Sequence, residues 1–233
     1  MTYVISDIHG RYDLYKKMLA TIAFSPKDEL FVLGDIIDRG EHGLEILQDM
    51  SMRPNVFPIM GNHEFMAEYV LHMLNTEITD QNYADRISEE GLQIMSGWIM
   101  SGGEVTLKAF RDLSPEDREN ILEYIQEFAP YDELEVGGKS FVLVHGGLPN
   151  FEVDKPLEDY DQIDILMTVT DYTRTYYPDK YLITGHIPTC TIDPAYSGKI
   201  YRKHNHIAID CGAGHGYGLG CIRLDDLAEF YVK

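Results

Sequence analysis

The sequence predicts an α/β protein in which two sheets pack as a sandwich flanked by helices, and two observations support this fold class. Over the first sixty residues, short apolar runs alternate with segments whose apolar residues recur at helical spacing. Over the last forty residues, several short strand candidates follow one another. A half with crossover helices followed by a strand-rich half favours two sheets.

The N-terminal part of the chain has the β-α-β-α-β rhythm of a parallel sheet with crossover helices. The apolar runs lie at residues 3–5, 30–33 and 56–60, and the helical patterns between them lie at 12–24 and 44–50. Pro58 falls inside the third run. Because proline cannot donate a hydrogen bond to a neighbouring strand, this strand is predicted to lie at a sheet edge or to be irregular.

The remainder of the chain is predicted as a helical stretch followed by short strands. Residues 63–130 are mostly helical in pattern, with Ser114 as an N-cap and Pro115 at the first helical position. The strand candidates lie at 141–144, 181–184, 199–201, 206–210, 220–224 and 229–232. No linker or shift in composition divides the chain, so a single domain over residues 1–233 is predicted.

The composition is that of a globular protein with a strongly acidic surface. Hydrophobic residues make up 44% of the 233 residues and charged residues 25%. The 39 acidic residues outnumber the 19 lysines and arginines, which gives a formal net charge of −20. Because this charge repels phosphate backbones and anionic lipid surfaces, we expect neither a nucleic-acid partner nor a membrane partner.

The cysteines exclude two further classes of protein. Cys190, Cys211 and Cys221 are odd in number and form no CxxC pair, which argues against a disulfide framework and a cysteine zinc ribbon. No apolar run approaches the roughly 20 residues of a membrane span. The first residues, MTYVISD, do not resemble a secretory leader. We therefore expect a cytoplasmic protein with reduced thiols.

Each of five apolar strands is followed by a cluster of residues that commonly bind metals or phosphate. The clusters are Asp7-Ile8-His9-Gly10, the segment from Gly34 to Gly40, Gly61-Asn62-His63-Glu64, His145-Gly146-Gly147 and Gly185-His186. Open α/β sheets bind ligands at the carboxyl ends of their strands. We therefore expect the five clusters to meet at one edge of the fold.

Six side chains in these clusters are metal-ligand types, and they combine three imidazoles with carboxylate and amide oxygens. They are Asp7, His9, Asp35, Asn62, His145 and His186. This donor set suits borderline to hard divalent ions, and six donors are too many for one catalytic tetrahedral ion. We predict two divalent metal ions, Mn²⁺ in the first place with Fe, Zn or Mg as alternatives, that activate a bridging water.

Neighbouring residues are suited to hold the phosphate and to move a proton. Arg39 is predicted to bind phosphate oxygens through its guanidinium, and Asn62 belongs to the same phosphate-binding set. His63 is predicted as the general acid, with Asp38 holding its imidazole in the required tautomer. Glu64 is expected to cap or orient the helix that follows.

The combination of motifs resembles the calcineurin-like metallophosphoesterases, and within them the phosphoprotein phosphatase family. The matching elements are Asp7-Ile8-His9-Gly10, Gly34 to Gly40, Gly61 to Glu64, His145-Gly146, Gly185-His186-Ile187-Pro188 and Asp210-Cys211-Gly212-Ala213. A helical stretch of bacterial members is matched by Trp98, Gly102-Gly103 and Thr106-Leu107. The resemblance covers nearly the whole chain.

This resemblance implies a four-layer αββα sandwich with a dinuclear metal site at the carboxyl ends of the strands. It implies that Asp7 and His9 bind one metal and that Asp35 bridges both. It also implies a second metal whose ligands are Asn62, His145 and His186. The resemblance also implies that His63 is the general acid paired with Asp38 and that Arg39 holds the phosphate, in agreement with the roles predicted above.

The chain departs from the family at one phosphate-binding position. Members usually carry a Trp-x-Arg element whose arginine is a second phosphate ligand, and Val169 stands where that arginine is expected. Arg174, five residues further on, is the nearest substitute, and we include it among the predicted phosphate-binding residues.

The predicted activity is hydrolysis of phosphate monoesters by attack of a metal-bridging hydroxide, and the first prediction of substrate is a phosphoserine or phosphothreonine protein. One alternative is a dinucleoside polyphosphate hydrolase of the diadenosine tetraphosphatase type. Its bases would stack on tyrosines drawn from Tyr172, Tyr176, Tyr177, Tyr201 and Tyr217. The other alternative is a phosphate-binding relative without turnover, against which the intact pair of His63 and Asp38 argues.

Overall fold

The apolar runs of the N-terminal part form parallel strands, as their sequence pattern predicts. A computed structural model describes residues 1–75 and 88–233. Its first strands are β1 (Thr2–Ile5), β2 (Glu29–Leu33) and β3 (Val56–Ile59), and its first helices are α1 (Tyr12–Thr21) and α2 (Gly43–Ser51). β1 pairs in parallel with β2, and β2 pairs in parallel with β3. The predicted crossover arrangement is confirmed.

The last two strands of the chain complete this first sheet. They are β9 (Leu219–Arg223) and β10 (Ala228–Val232), and the sheet order is β10-β9-β1-β2-β3. Both are antiparallel to their neighbours, because β9 joins β1 and β10 joins β9. The strand that contains Pro58 lies at the edge of the sheet, as predicted.

The middle of the chain is helical, as predicted, over the residues that the structure describes. The elements are α3 (Asn62–Asn75), α4 (Glu89–Trp98), a π turn at Ile99–Gly103, α5 (Glu104–Asp112) and α6 (Pro115–Gln126). The Ser114 hydroxyl accepts a hydrogen bond from Asp117 N at 3.1 Å, which confirms the predicted N-cap of α6. The part of the helical prediction at residues 76–87 lies outside the described residues.

The second sheet is built from the C-terminal half. It contains β4 (Tyr131–Val136), β5 (Lys139–Val144), β6 (Lys180–Thr184), β7 (Tyr201–Lys203) and β8 (His206–Ala208), in the order β4-β5-β6-β8-β7. Two short helices, α7 (Gln162–Met167) and α8 (Thr189–Ile192), lie in the connections. The strand predicted at 199–201 begins two residues later, at Tyr201, and a turn of 3-10 helix at residues 194–196 precedes it.

The two sheets pack face to face, with helices on their outer faces. The layer between the sheets includes Val4, Phe31, Leu33, Phe141, Leu143, Ile183 and Ile207. Because successive side chains of a strand point to opposite faces, Tyr3 and Ile5 lie in the other layer, with Leu14 of α1. On the second sheet, Val142 likewise points away from the first sheet, into an outer layer that includes Val144, Leu157 and Ile165. This arrangement is the predicted αββα sandwich.

No helix among residues 1–75 and 88–233 is both long enough and apolar enough to cross a membrane. The single domain over residues 1–233 stays a prediction.

Candidate active site

The polar clusters that follow five strands meet at one edge of the sandwich. His186, after β6, donates its backbone N–H to both carboxylate oxygens of Asp7, after β1, at 3.1 and 3.0 Å. His145, after β5, contacts the carbonyl oxygen of Leu33 in β2 at 2.7 Å through Nδ1. These contacts join the two sheets at their carboxyl ends. The structure therefore brings the predicted ligands together.

The turns that carry these side chains adopt a left-handed backbone. Asp7, His9, Asp35 and His186 have φ values of 51°, 48°, 52° and 66°, a region that residues other than glycine seldom enter. Such strain persists where the surrounding structure fixes the turn, and it is common at functional sites. A side chain at Gly10, which also has a positive φ, would overlap the backbone of a neighbouring turn.

Asp35 lies at the centre of the cluster. Its Oδ1 lies 3.3 Å from Nε2 of His145, and its Oδ2 lies 3.6 Å from Nε2 of His9 and 3.8 Å from Nε2 of His63. Two groups of possible metal ligands share the Asp35 carboxylate. One contains His9 and His63, and the other contains His145 and His186. Within each group the possible ligand atoms lie within 4.8 Å of one another.

The donor atoms face each other in a way that a cation would satisfy. Nδ1 of His9 lies 3.0 Å from the carbonyl oxygen of Ile37, and Nδ1 of His145 bonds to Leu33, so these nitrogens carry the ring protons. The Nε2 lone pairs therefore point at the Asp35 carboxylate, which is itself an acceptor. Acceptors that converge in a buried place need a positive charge between them. The residues present fit a metal centre.

Asn62 adds an amide oxygen to this centre. Its Oδ1 lies 2.9 Å from Nε2 of His145 and 2.8 Å from Nδ1 of His186. Asn62 is the first residue of α3, directly after the edge strand β3. The structure thus places Asn62 where both histidines and Asp35 converge.

Burial and crowding of like charges shift the ionisation of the carboxyl groups. Burial raises the pKa of Asp7 well above its usual range, and the charges of Asp210 and Asp35 add to this effect. Burial, with the charge of Asp35, raises the pKa of Asp210 to about 7. Around Asp35 itself the imidazoles outweigh burial and hold its pKa below its usual range. A cation at this place would relieve the repulsion.

Two of the predicted histidine ligands are held in the neutral form that binds metals. Burial lowers the pKa of His9 to about 3 and that of His186 to about 4. Because a metal binds the unprotonated ring nitrogen, both side chains are in the ligand-competent state at neutral pH.

His63, Asp38 and Arg39 form a connected group beside the metal-binding side chains. Nδ1 of His63 lies 2.6 Å from Oδ2 of Asp38, and its Nε2 lies 3.3 Å from the guanidinium of Arg39. Burial lowers the pKa of His63, but the charge of Asp35 and the contact with Asp38 outweigh it and raise the pKa to about 9. His63 is therefore available as a proton donor, and Arg39 reaches solvent next to it.

Glu64 has a larger part than the sequence indicated. It is fully buried, and its carboxylate accepts backbone N–H bonds from Asp35, Ile36 and Ile37 at 2.7, 2.8 and 3.1 Å. Glu64 therefore fixes the turn that carries Asp35, rather than only orienting α3. Its place in the Gly-Asn-His-Glu motif was the only sequence signal for this part.

Four further residues at the site were not assigned a part there from the sequence. Trp98, Thr106 and Asp210 are buried beside the cluster. Nε2 of His215 lies 3.3 Å from one terminal nitrogen of the Arg39 guanidinium, and His63 contacts the other terminal nitrogen. Asp210 belongs to the Asp-x-Gly-Ala element and Trp98 and Thr106 to the helical stretch, so motif membership was a usable signal for these three.

Arg174 lies over aromatic rings. Its guanidinium carbon is 5.3 Å from the ring centroid of Phe151 and 5.1 Å from that of Tyr176. Within residues 1–75 and 88–233, the structure shows Arg39, and not Arg174, in contact with the histidines of the cluster. The predicted part of Arg174 in phosphate binding stays a prediction.

The tyrosines considered for base stacking differ in their exposure. Tyr176, Tyr177 and Tyr201 are buried, and the ring of Tyr172 stacks on His206 with an interplanar angle of 3°. Tyr217 is 44% exposed. Of these five candidates, Tyr217 is the one with a largely accessible ring.

Comparison with known proteins agrees with this geometry. A family model described as calcineurin-like phosphoesterase matches residues 2–190. The symmetrical bis(5'-nucleosyl)-tetraphosphatase of Acidovorax ebreus is 26% identical over 173 residues, which cover 73% of this chain and 52% of that protein. The chain thus spans about half the length of this relative.

A second relative matches over more of its own length. Serine/threonine-protein phosphatase 2 of Salmonella typhimurium is 26% identical over 212 residues, which cover 78% of this chain and 86% of that protein. Among solved structures, that of a proposed diadenosine tetraphosphatase superposes with a TM-score of 0.65 at 12% identity, covering 99% of this chain and 92% of the other. At this identity the superposition supports the fold alone.

Proposed function

Since the chain belongs to the calcineurin-like phosphoesterase family, we propose that it is a metal-dependent hydrolase of phosphoric esters. One observation carries the proposal, namely the convergence of histidine nitrogens on the buried carboxylate of Asp35, in two groups that could each hold a metal ion. Such a convergence is costly to maintain without a cation, and a hydrolase of this family requires one.

We propose two divalent ions at this place, with Mn²⁺ as the first choice. Asp7, His9 and Asp35 would hold one ion, and Asp35 would share the second with a further set of ligands. These are Asn62, His145 and His186. When bound, the pair of ions supplies a water activated for attack and balances the charge of the phosphate.

The protein's own residues supply binding and proton transfer. Arg39 reaches solvent beside His63, so its guanidinium can hold two phosphate oxygens while the imidazole faces the leaving oxygen. As a bond forms between phosphorus and the attacking water, the bond to the leaving oxygen breaks. The proton on Nε2 of His63 moves to that oxygen, and Asp38 keeps the proton on Nδ1.

For the substrate, we propose a phosphoserine or phosphothreonine protein. The match covers 86% of the serine/threonine-protein phosphatase relative and 52% of the tetraphosphatase relative, so the similarity extends over more of the former protein. A cytoplasmic location belongs to the same proposal, because Cys190, Cys211 and Cys221 are free thiols, as a reducing compartment favours.

A dinucleoside polyphosphate is the second candidate, and one observation favours it. A cleft of about 610 Å³ lies next to His186, lined by residues that include Val169, Tyr172 and Ile187. Val169 stands where the family's second phosphate-binding arginine is expected, so this part of the rim is open and apolar. A cleft of this size could take a nucleoside.

The test is a substrate panel on protein reconstituted with Mn²⁺. A phosphoserine peptide, diadenosine tetraphosphate and p-nitrophenyl phosphate are compared at equal concentration. We expect hydrolysis of the peptide at a kcat/KM at least tenfold above that of the dinucleotide, about 1.4 kcal/mol of discrimination. The reverse order would favour the second candidate.

Two variants make the panel decisive. His63→Asn is expected to lower kcat by about 10²–10⁴ while two ions stay bound. His42→Asn, at an exposed histidine of α2's N-cap, is the matched control and is expected to leave kcat unchanged. Absence of turnover on all three substrates, with two ions bound, would indicate a phosphate-binding protein and contradict the proposal.

A further inference from the structure

We propose that Trp98 and Thr106 are positioning residues that hold Asp38, and through it the proton donor His63. The inference rests on the proposed function and concerns residues that touch neither the substrate nor the reacting atoms.

Both oxygens of Asp38 are occupied by the helical segment that follows α3. Oδ2 lies 2.7 Å from the indole Nε1 of Trp98, and Oδ1 lies 2.6 Å from the hydroxyl of Thr106. The same hydroxyl lies 3.1 Å from the backbone N–H of Asp38. Asp38, Trp98 and Thr106 are 0%, 0% and 3% exposed, so water does not compete for these bonds.

The chemistry of the donors fixes the proton between Asp38 and His63. An indole nitrogen can only donate, so Oδ2 of Asp38 must accept from Trp98. The Thr106 hydroxyl accepts from the Asp38 backbone N–H and has its own proton free to donate to Oδ1. With both oxygens serving as acceptors, the short contact at 2.6 Å places the proton on Nδ1 of His63. The Nε2 side of the ring then faces the phosphate site.

The same segment also positions the phosphate ligand. The π turn at Ile99–Gly103 separates Trp98 from Thr106, and the carbonyl oxygen of Gly102 accepts the backbone N–H of Arg39 at 3.1 Å. Three residues of the segment 98–106, namely Trp98, Gly102 and Thr106, therefore hold the consecutive residues Asp38 and Arg39. The same segment therefore sets the orientation of the His63 ring and that of the Arg39 guanidinium.

Loss of one of these bonds would leave the metal ligands in place and loosen the proton donor. Such a change should slow proton donation to the leaving group more than it affects metal binding. A general acid matters most when the leaving group is a poor one, because a good leaving group departs without a proton. A residue that merely stabilises the fold would slow all substrates equally.

The experiment compares phenyl phosphate, which has a poor leaving group, with p-nitrophenyl phosphate, which has a better one. Trp98→Phe keeps an aromatic ring without the N–H, and Thr106→Val keeps the shape without the hydroxyl. We expect each to lower kcat about tenfold on phenyl phosphate and less than about threefold on p-nitrophenyl phosphate. KM is expected to change less than about twofold, with two ions bound per chain.

Two controls separate positioning from packing. Thr106→Ser restores the hydroxyl and is expected to restore the kcat ratio between the two substrates. Phe110→Leu weakens the packing of α5 without touching Asp38, and it is expected to change both substrates by the same factor. Equal losses on both substrates in Trp98→Phe and Thr106→Val, or no loss, would overturn the inference.

A spectroscopic measurement tests the inference without turnover, so that its failure is separate from failure of the proposed function. Trp98 is the one tryptophan of the sequence, which makes its indole N–H signal unambiguous in a proton–nitrogen NMR spectrum. A bond to a buried carboxylate shifts this signal downfield, and we expect Asp38→Asn to move it upfield. Asp112→Asn, at the end of α5, is the control. A signal that does not respond to Asp38→Asn would contradict the contact.

Discussion

Asp35 is the residue on which the candidate centre converges. It is 2% exposed, three imidazole nitrogens approach its oxygens within 3.8 Å, and its turn is fixed by the carboxylate of Glu64. Its charge also raises the pKa values of Asp7 and Asp210. The same side chain therefore disfavours ionisation of its acidic neighbours and would attract the ions.

Asp35→Asn is expected to weaken metal binding and to lower the stability of the metal-free protein. Without the shared carboxylate, neither ion is held tightly, so kcat should fall by at least about 10³ and metal content below two per chain. The metal-free variant should be less stable than metal-free wild type near neutral pH, because the imidazoles that hold the pKa of Asp35 below its usual range lose their charged partner. Metal analysis and thermal unfolding measure both, with the exposed Asp154→Asn as control. Two tightly bound ions in the variant would contradict the shared-ligand account.

His206 is a buried histidine away from the centre. It is 1% exposed, its Nε2 contacts the Thr184 hydroxyl at 2.9 Å, and Tyr172 stacks on its ring. Its Nδ1 has no hydrogen-bond partner among the described residues. Burial lowers the pKa of His206 from 6.5 to about 4. The folded protein therefore keeps this ring neutral.

The neutral ring makes stability depend on pH. Below pH 6.5 the unfolded chain binds a proton that the folded chain does not, so the free energy of unfolding falls as the pH drops from about 6.5 to about 4. The contribution lost over this window is roughly 3 kcal/mol. Urea unfolding of His206→Gln should show a flatter pH profile than wild type. The exposed His204→Asn should keep the wild-type slope, and an equal slope in His206→Gln would remove this explanation.

At the scale of single residues, the sequence predicted the candidate ligands because each stands in a short motif after a strand. The contacts that hold other side chains in place were not predicted, although Trp98 and Thr106 belong to a matched motif. Trp98 and Thr106 reach Asp38 across 60 and 68 positions, and His206 meets Tyr172 through tertiary packing. Contacts of that kind depend on the packing of distant segments, which no local pattern encodes.

Among the elements, the π turn at Ile99–Gly103 has the most consequences. Gly102 has a φ of 107°, and a Cβ there would lie 2.9 Å from Cγ of Arg39. Five residues earlier, Gly97 lies within α4 with open space around its Cα. Two glycines of one segment thus have opposite structural roles.

Alanine substitutions at the two glycines are expected to act in opposite directions. Gly97→Ala should raise the free energy of unfolding by about 0.5–1 kcal/mol, because alanine loses less backbone entropy in a helix. Gly102→Ala should lower it by about 1–3 kcal/mol and raise KM, since the backbone is strained there and Arg39 is displaced. Urea unfolding and steady-state kinetics measure both, and a neutral Gly102→Ala would contradict the tight turn.

Strongly patterned elements were predicted well, and β4 was missed. Its sequence, Tyr131–Val136, contains three acidic residues and only a weak alternation of apolar side chains. It becomes a strand by pairing with the apolar β5 along six residue pairs, through a turn at Gly137 and Gly138. Pairing with a strongly apolar partner outweighs a poor intrinsic preference for strand.

For the whole molecule, the formal charge of −20 sets how anionic substrates approach. A body with this charge repels phosphate esters over distances comparable to the Debye length, about 10 Å at 0.1 M salt. Salt screens this repulsion, so association should become faster as ionic strength rises.

The kcat/KM for an acidic phosphopeptide should therefore rise about two- to fivefold when KCl is increased from ~10 to ~150 mM. The kcat, measured at saturation, should change less. A phosphopeptide flanked by lysines should show the opposite slope, because it is attracted by the protein. The same slope for both peptides would show that the net charge does not steer binding.

The pairing of β1 with β9 bears on how the protein is made by the ribosome. Thr2 donates its backbone N–H to Asp225, 223 positions along the chain, and the first strand lies in the middle of its sheet. During translation, β1 has β2 as a neighbour early, but its other edge stays uncovered until β9 has emerged from the exit tunnel. Nascent chains therefore expose one unpaired edge of an apolar strand until β9 emerges, and chaperone demand should be highest just before that point.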